Sequence, residues 1–158
     1  GAIPRLLDME GEPFLLASTL DVVLGQRLVR KLGNSREKYF LSKEELSSLS
    51  KLVSLDRMLN LLKAENVVPK DATWESVPFW RPKVAQPSEG DGYHGRIGIY
   101  EVLKVTEALK ALIMKNATSS AIEEVAKKEG MITMIEDGVF KAVQGATTIE
   151  EVLRVISE

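Results

Sequence analysis

Residues 92–103 read GYHGRIGIYEVL. Gly92, Gly95 and Gly98 free the backbone, while Ile97, Ile99, Tyr100, Val102 and Leu103 supply the β-branched, aromatic and apolar side chains that favour a strand. The stretch predicts a turn entering a strand. Beyond it the period becomes helical. Thr106 can cap a helix that turns Leu109, Leu112 and Ile113 inward. Ser120 and Glu123 have the spacing of a capping box ahead of Ile122, Val125 and Ala126, with Gly130 as the stop. Residues 131–144 carry Ile135, Val139, Ala142 and Val143 at helical spacing and end at Gly145. Thr148 and Glu151 form a further box before Val152, Leu153 and Ile156. Four short helices on a strand element predict an orthogonal bundle.

Working back towards the start, residues 14–32 (FLLASTLDVVLGQRLVRKL) place Leu16, Leu20, Val23, Leu24 and Leu28 along one helical stripe. They predict a single helix, with Arg27 and Arg30 near its C-terminal end and Gly33 and Asn34 as its stop. A helix this apolar needs covering, each buried side chain being worth ~1.5–3 kcal/mol. It is expected either to dimerise through that face or to fold locally over it. Residues 2–9 (AIPRLLDM) also have helical spacing.

The middle of the chain predicts a capping box at Ser42 and Glu45, opening a helix with Leu46, Leu49, Leu52 and Val53 on one face. A second helix starts at Ser54 and runs to about residue 65. Residues 67–71 are turn-like, and prolines confine Trp74, Val77, Phe79 and Trp80 to short extended pieces. Residues 77–81 are expected to pair antiparallel with 96–102. Residues 83–91 (KVAQPSEGD) predict a polar loop.

Composition bounds the function. The 158 residues are 44% hydrophobic, enough for a buried core, and Lys+Arg 21 nearly cancels Asp+Glu 23. With no block of like charge, neither a nucleic-acid footprint nor a polybasic membrane patch is indicated. Absence of cysteine excludes disulfides and thiolate metal sites. No apolar run reaches membrane-spanning length, and the expected location is cytoplasmic.

Two blocks carry a resemblance. Residues 92–156 follow, in order, the C-terminal end of the ATPase family that drives type II secretion and type IV pilus assembly. Residues 5–9 (RLLDM), 12–15 (EPFL), 17–18 (AS) and 26–30 (QRLVR) fall on a run that resembles the close of that family's ATPase domain. The resemblance implies a mainly α fold with a small antiparallel β element: the end of a RecA-like ATPase domain over 1–33, a helical hairpin and loop over 34–91, and a strand plus four-helix subdomain over 92–158. It also implies a piece of a hexameric motor acting on an inner-membrane platform protein, peripherally attached to the inner membrane. Its nearest partners would be the upstream ATPase half of its own chain and further copies of itself. The family's phosphate-binding loop, acidic boxes and histidine box lie before this point, and no GxxxxGK[ST] occurs here. ATP and magnesium therefore belong to the full-length protein, with no cofactor expected in this chain and no ATP hydrolysis by it alone.

Family members usually carry one CxxC pair after the QRLVR run and another before the GYxGR turn, a spacing that suits tetrahedral zinc. Those four places fall here at Gly33, Arg36, Ala85 and Ser88, none of which offers a zinc donor. No structural zinc is expected, its clamping role passing to hydrophobic packing. An alternative reading is a complete, non-enzymatic adaptor derived from such a motor.

Among single residues, Arg27 and Arg30 are candidates for touching nucleotide phosphate or a neighbouring subunit, against a plainer reading in which they cap carbonyls or pair with acids. Gly92, Tyr93, Gly95, Arg96, Gly98, Tyr100 and Glu101 form the structural motif. Arg96 and Glu101 are five apart, on opposite faces of a strand, so each is expected to anchor a different neighbour. His94 lacks partners for a metal or acid-base role. Trp74, Phe79 and Trp80 read as core before docking patch, and the acids at 136–137 and 150–151 as helix-surface or capping groups before a metal pair. No serine, histidine and aspartate constellation is legible.

Overall fold

The computed structural model describes residues 20–83 and 90–158. In chain order these form β1 (Val22–Leu32), β2 (Arg36–Tyr39), α1 (Lys43–Ser50), α2 (Leu55–Ala64), a 3-10 turn at Trp74–Ser76, β3 (Phe79–Pro82), β4 (Tyr93–Lys104), α3 (Glu107–Met114), α4 (Ser119–Lys128), α5 (Met134–Val143) and α6 (Ile149–Ser157). Helix dominates, beside two two-stranded sheets, β1 with β4 and β2 with β3.

The expected helix over 14–32 is corrected where it can be seen: Val22–Leu32 is a strand, and residues 14–19 lie outside the described residues, as do 2–9. The physical reason is visible in the exposures. Val22 and Leu24 are 56% and 62% exposed, with Val23 between them half-buried. That alternation is the period of a pleated strand, and the paired valines suit it better than they suit a helix. The expected pairing of 77–81 with 96–102 is also corrected. β3 pairs antiparallel with β2, in the register Arg36↔Pro82, Glu37↔Arg81, Lys38↔Trp80 and Tyr39↔Phe79. A four-residue hydrophilic strand, REKY, gave no apolar signal. Of the expected 83–91 loop, residues 84–89 lie outside the described residues.

Among the described residues two compact units emerge: 20–26 with 100–134, and 27–83 and 90–99 with 135–158. In the first, Val105, Leu109, Ile113, Ile122 and Ala126 form a core onto which Leu20, Val23 and Leu103 pack from the strand side. The Val105 N–H donates to the Asp21 carbonyl at 2.8 Å, joining the two stretches. Thr106 caps α3 as expected, its hydroxyl accepting from the Leu109 N–H. α4 is capped by Thr118 rather than Ser120, through the Ala121 N–H. Glu123 pairs instead with Lys127 at 3.2 Å, so the expected box is not formed. The other face of the strands is left open: Val22, Leu24, Tyr100 and Val102 are exposed, and Gln26 Nε2 donates to the Tyr100 hydroxyl at 3.3 Å.

In the second unit the reciprocal box at Ser42 and Glu45 is present, and Ser54 caps α2. Leu49, Met58, Leu62, Val77, Phe79, Val139 and Val152 are buried. Trp74 and Trp80 are half-buried and donate their indole N–H to Leu55 O (3.2 Å) and Val143 O (3.1 Å), as amphipathic rings do at the edge of a core. Arg57 reaches the buried Glu136 carboxylate at 2.7 Å.

Candidate functional site

Glu151, Asp91 and, from the motif, Tyr93 converge on Arg30 in β1. Its backbone N–H donates to Glu151 Oε2 at 3.0 Å, its Nε donates to Glu151 Oε1 at 2.7 Å, and its Nη1 donates to Asp91 Oδ2 at 2.9 Å. The guanidinium lies over the Tyr93 ring, 4.2 Å from its centroid, adding a cation–π contact. From the far side Arg154 Nη2 reaches Glu151 Oε2 at 2.9 Å. One buried carboxylate, 2% exposed, thus holds two arginines and a main-chain N–H.

Local sequence puts each group there. Gly92, at φ +85, takes the left-handed conformation that turns the chain into β4. Asp91 Oδ1 accepts the Tyr93 N–H at 3.1 Å, closing an Asx turn. Tyr93 shares a 2.9 Å hydrogen bond between its hydroxyl and that of Thr148, and Thr148 caps α6 through the Glu151 N–H. Thr147 Oγ1 donates to the Arg30 carbonyl at 2.7 Å. Arg27 completes the set, its Nη1 donating to the Val155 carbonyl near the end of α6 at 3.0 Å.

Burial opposes ionisation of Glu151, but hydrogen bonds from Arg154 and Arg30 and the Arg30 charge outweigh it, lowering the carboxyl from 4.5 to about 2. A carboxylate so acidic and so fully engaged is a poor general acid or base at neutral pH. What the cluster does is mechanical: it fastens the start of α6 to β1 and to the turn before β4. Among the described residues no three His, Cys, Asp or Glu side chains gather to hold a metal ion.

The remaining motif residues are scattered. His94, Gly95 and Arg96 are exposed. The Gly98 carbonyl accepts from Lys141 Nζ at 2.8 Å, and Lys141 also pairs with Asp137 at 2.7 Å. In the other unit Tyr100 meets Gln26, and Glu101 Oε1 accepts the Met134 N–H at 2.9 Å, capping α5. Glu101→Ala is expected to cost about 1 kcal/mol of stability, the usual loss for a removed helix cap, read as a lower urea midpoint with an unchanged slope. Of the four zinc-motif places, Gly33 donates its N–H to the Gly92 carbonyl at 2.8 Å and Arg36 donates to the Gly145 carbonyl; Ala85 and Ser88 lie outside the described residues.

Glu151, Asp91, Thr147 and Arg154 were not singled out as a cluster from sequence. Glu151 read as the second half of a capping box, and that half is not made: its carboxylate serves arginines instead. The available signal was an acid at the first turn of an otherwise apolar helix face, with Arg154 three residues on.

A family model described as type II/IV secretion system protein matches residues 1–154. The chain is 40% identical over 159 residues to the type II secretion system protein E of Xanthomonas campestris pv. campestris, covering 100% of this chain and 25% of that protein. It is 34% identical to the type IV pilus assembly ATPase PilB of Thermus thermophilus, covering 96% and 15%. With the type II secretion system ATPase E of Vibrio cholerae it shares 35% identity, covering 100% and 27%. The chain spans about a quarter or less of the length of these relatives.

Proposed function

Since this chain belongs to the type II/IV secretion system protein family, we propose that it is the mechanical C-terminal portion of a motor ATPase that powers type II secretion or type IV pilus assembly. In this reading residues 1–33 close a RecA-like ATPase domain, and the rest transmits force and contacts neighbouring subunits of a hexamer. ATP and magnesium are bound by the preceding part of the same protein, and an inner-membrane platform protein receives the motion. The protein works at the cytoplasmic side of that membrane, attached peripherally; among the described residues no helix is long and apolar enough to cross one.

The observation that carries the mechanical part is the use made of Arg27 and Arg30. Both come from the QRLVR run that carries part of the family resemblance, and both fasten α6 to β1. A strand leading out of a nucleotide-binding domain and tied to the last helix by charge-assisted bonds is suited to carrying displacement without slack. The same arginines are the candidates for contact across a subunit boundary in the ring.

Two measurements test the proposal. The purified 158-residue chain should hydrolyse no ATP above a mock purification; turnover abolished by removing magnesium would sink the assignment of catalysis elsewhere. In the source genome the reading frame should continue upstream of the Gly1 codon through a phosphate-binding loop and acidic boxes. A start codon within a few residues of Gly1 would overturn the motor and leave an adaptor.

A further inference from the structure

The zinc that the family resemblance implies does not fit the residues present. The four corresponding positions hold a glycine, a guanidinium, a methyl and a hydroxyl, with no thiolate or imidazole among them. Sterics agree with the chemistry. A Cβ added at Gly33 would stand 3.0 Å from the Gly92 carbonyl oxygen, so a side chain there would have to push that backbone oxygen back by a few tenths of an ångström. The same oxygen is held by the Gly33 N–H at 2.8 Å, which leaves it little freedom to withdraw. Arg36 is equally committed: its guanidinium lies 5.0 Å from the centroid of the Trp80 ring and donates to the Gly145 carbonyl.

Between these two positions sits Ser35, which bonds Lys83 twice. The Ser35 carbonyl accepts the Lys83 N–H at 3.0 Å, and its hydroxyl donates to the Lys83 carbonyl at 2.7 Å. Three residues before Ser35 the Leu32 N–H donates to the Ala146 carbonyl at 3.0 Å. Residues 32–36 therefore meet residue 83, residue 92 and the segment after α5 through five polar bonds, all within one compact unit.

We propose that this polar clasp, centred on Gly33, Ser35 and Arg36, closes the base of the 34–91 excursion without metal. A metal clip stabilises by fixing the two ends of a long loop, and its benefit depends on closure rather than on the ion as such. Here main-chain hydrogen bonds perform the closure, and the planar guanidinium stacked on an indole supplies the fixed geometry that a tetrahedral ion would impose. Clamping by hydrophobic packing, expected from sequence, is thereby replaced at the base by polar bonds.

The experiment begins with metal content and thermal unfolding of the purified chain, with EDTA and with added zinc sulfate. Zinc should be far below one per chain, and the midpoint should move with neither reagent. One zinc per chain, or a midpoint lowered by EDTA, overturns the proposal. Arg36→Ala should then lower the midpoint by roughly 3–6 °C, as expected for a modest loss in a chain of this length. Arg36→Lys should recover less than half of that, since an ammonium keeps the charge but loses the stacked fork. An unmoved midpoint in Arg36→Ala, or full recovery by lysine, counts against the clasp. Should Arg36→Ala fail to fold, Ser35→Ala decides: a lowered midpoint supports the clasp and an unchanged one overturns it.

Discussion

Glu151→Ala is expected to cost the chain about 2–4 kcal/mol, a large share of the 5–15 kcal/mol that is usual for a domain. The carboxylate is 2% exposed and accepts from the Arg30 main chain, the Arg30 guanidinium and Arg154. Its removal leaves a half-buried arginine without its main acceptor and a main-chain N–H without a partner, so the loss exceeds that of an exposed ion pair. Glu151→Gln, which keeps the shape, should cost less, because one amide oxygen still accepts. The pH dependence has a definite sign. The folded carboxyl lies at about 2 against an ordinary 4.5, so its contribution is fully present above the unfolded value. It is lost as pH falls, between about pH 5 and pH 2. Urea midpoints of wild type and Glu151→Gln should therefore differ most at neutral pH and converge in acid. A gap that stayed constant down to about pH 3 would show that ionisation of Glu151 is not what stabilises the cluster.

Gly138→Leu should be nearly as damaging, at about 3 kcal/mol or more. Gly138 lies buried within α5, where a helix would ordinarily gain about 1 kcal/mol by exchanging glycine for alanine. Here there is no room for the exchange. An added Cβ would collide with both methyls of Val152 in α6, a side chain that is itself fully buried. The two helices can approach this closely only because position 138 lacks a side chain. Gly138→Ala should be destabilising too, by about 1–2 kcal/mol, the overpacking exceeding the gain in helix propensity. Stability curves for both variants check the order; an alanine variant more stable than wild type would mean that α6 shifts aside freely.

Local features of the fold were legible in the sequence and distant ones were not. The box at Ser42 and Glu45 and the cap at Thr106 involve residues three apart, and both are formed as read. At α4 two hydroxyl residues stood two positions apart, and Thr118 took the role assigned to Ser120. β1 misled because Leu20, Val23, Leu24 and Leu28 satisfy a helical stripe, while Val22, Val23 and Leu24 also alternate; only packing against α3 and α4 separates the two periods. β2 escaped because REKY has no apolar face of its own, and its partners in β3 lie 40 to 46 residues further along the chain, from Tyr39↔Phe79 to Arg36↔Pro82. At the cluster, Arg27 and Arg30 could be marked from the QRLVR run. Their partners Glu151 and Val155 lie 121 and 128 residues away, beyond anything spacing can reveal.

The cap on α5 bears on the order of events in time. α1, α2, α3, α4 and α6 each begin at a serine or threonine whose hydroxyl binds the helix's own first turn, so each can start from its own residues. α5 has its first N–H satisfied by Glu101, 33 residues upstream in β4. Contacts of that separation form only after a loop has closed, and they set the slower steps of folding. Five helices can thus start on hydroxyls next to them in the chain, whereas the bond that Glu101 adds to α5 forms only when the strand is in place. Glu101→Ala should slow the refolding of α5 if that contact is made before the main barrier, and should leave the rate unchanged while hastening unfolding if it is made after.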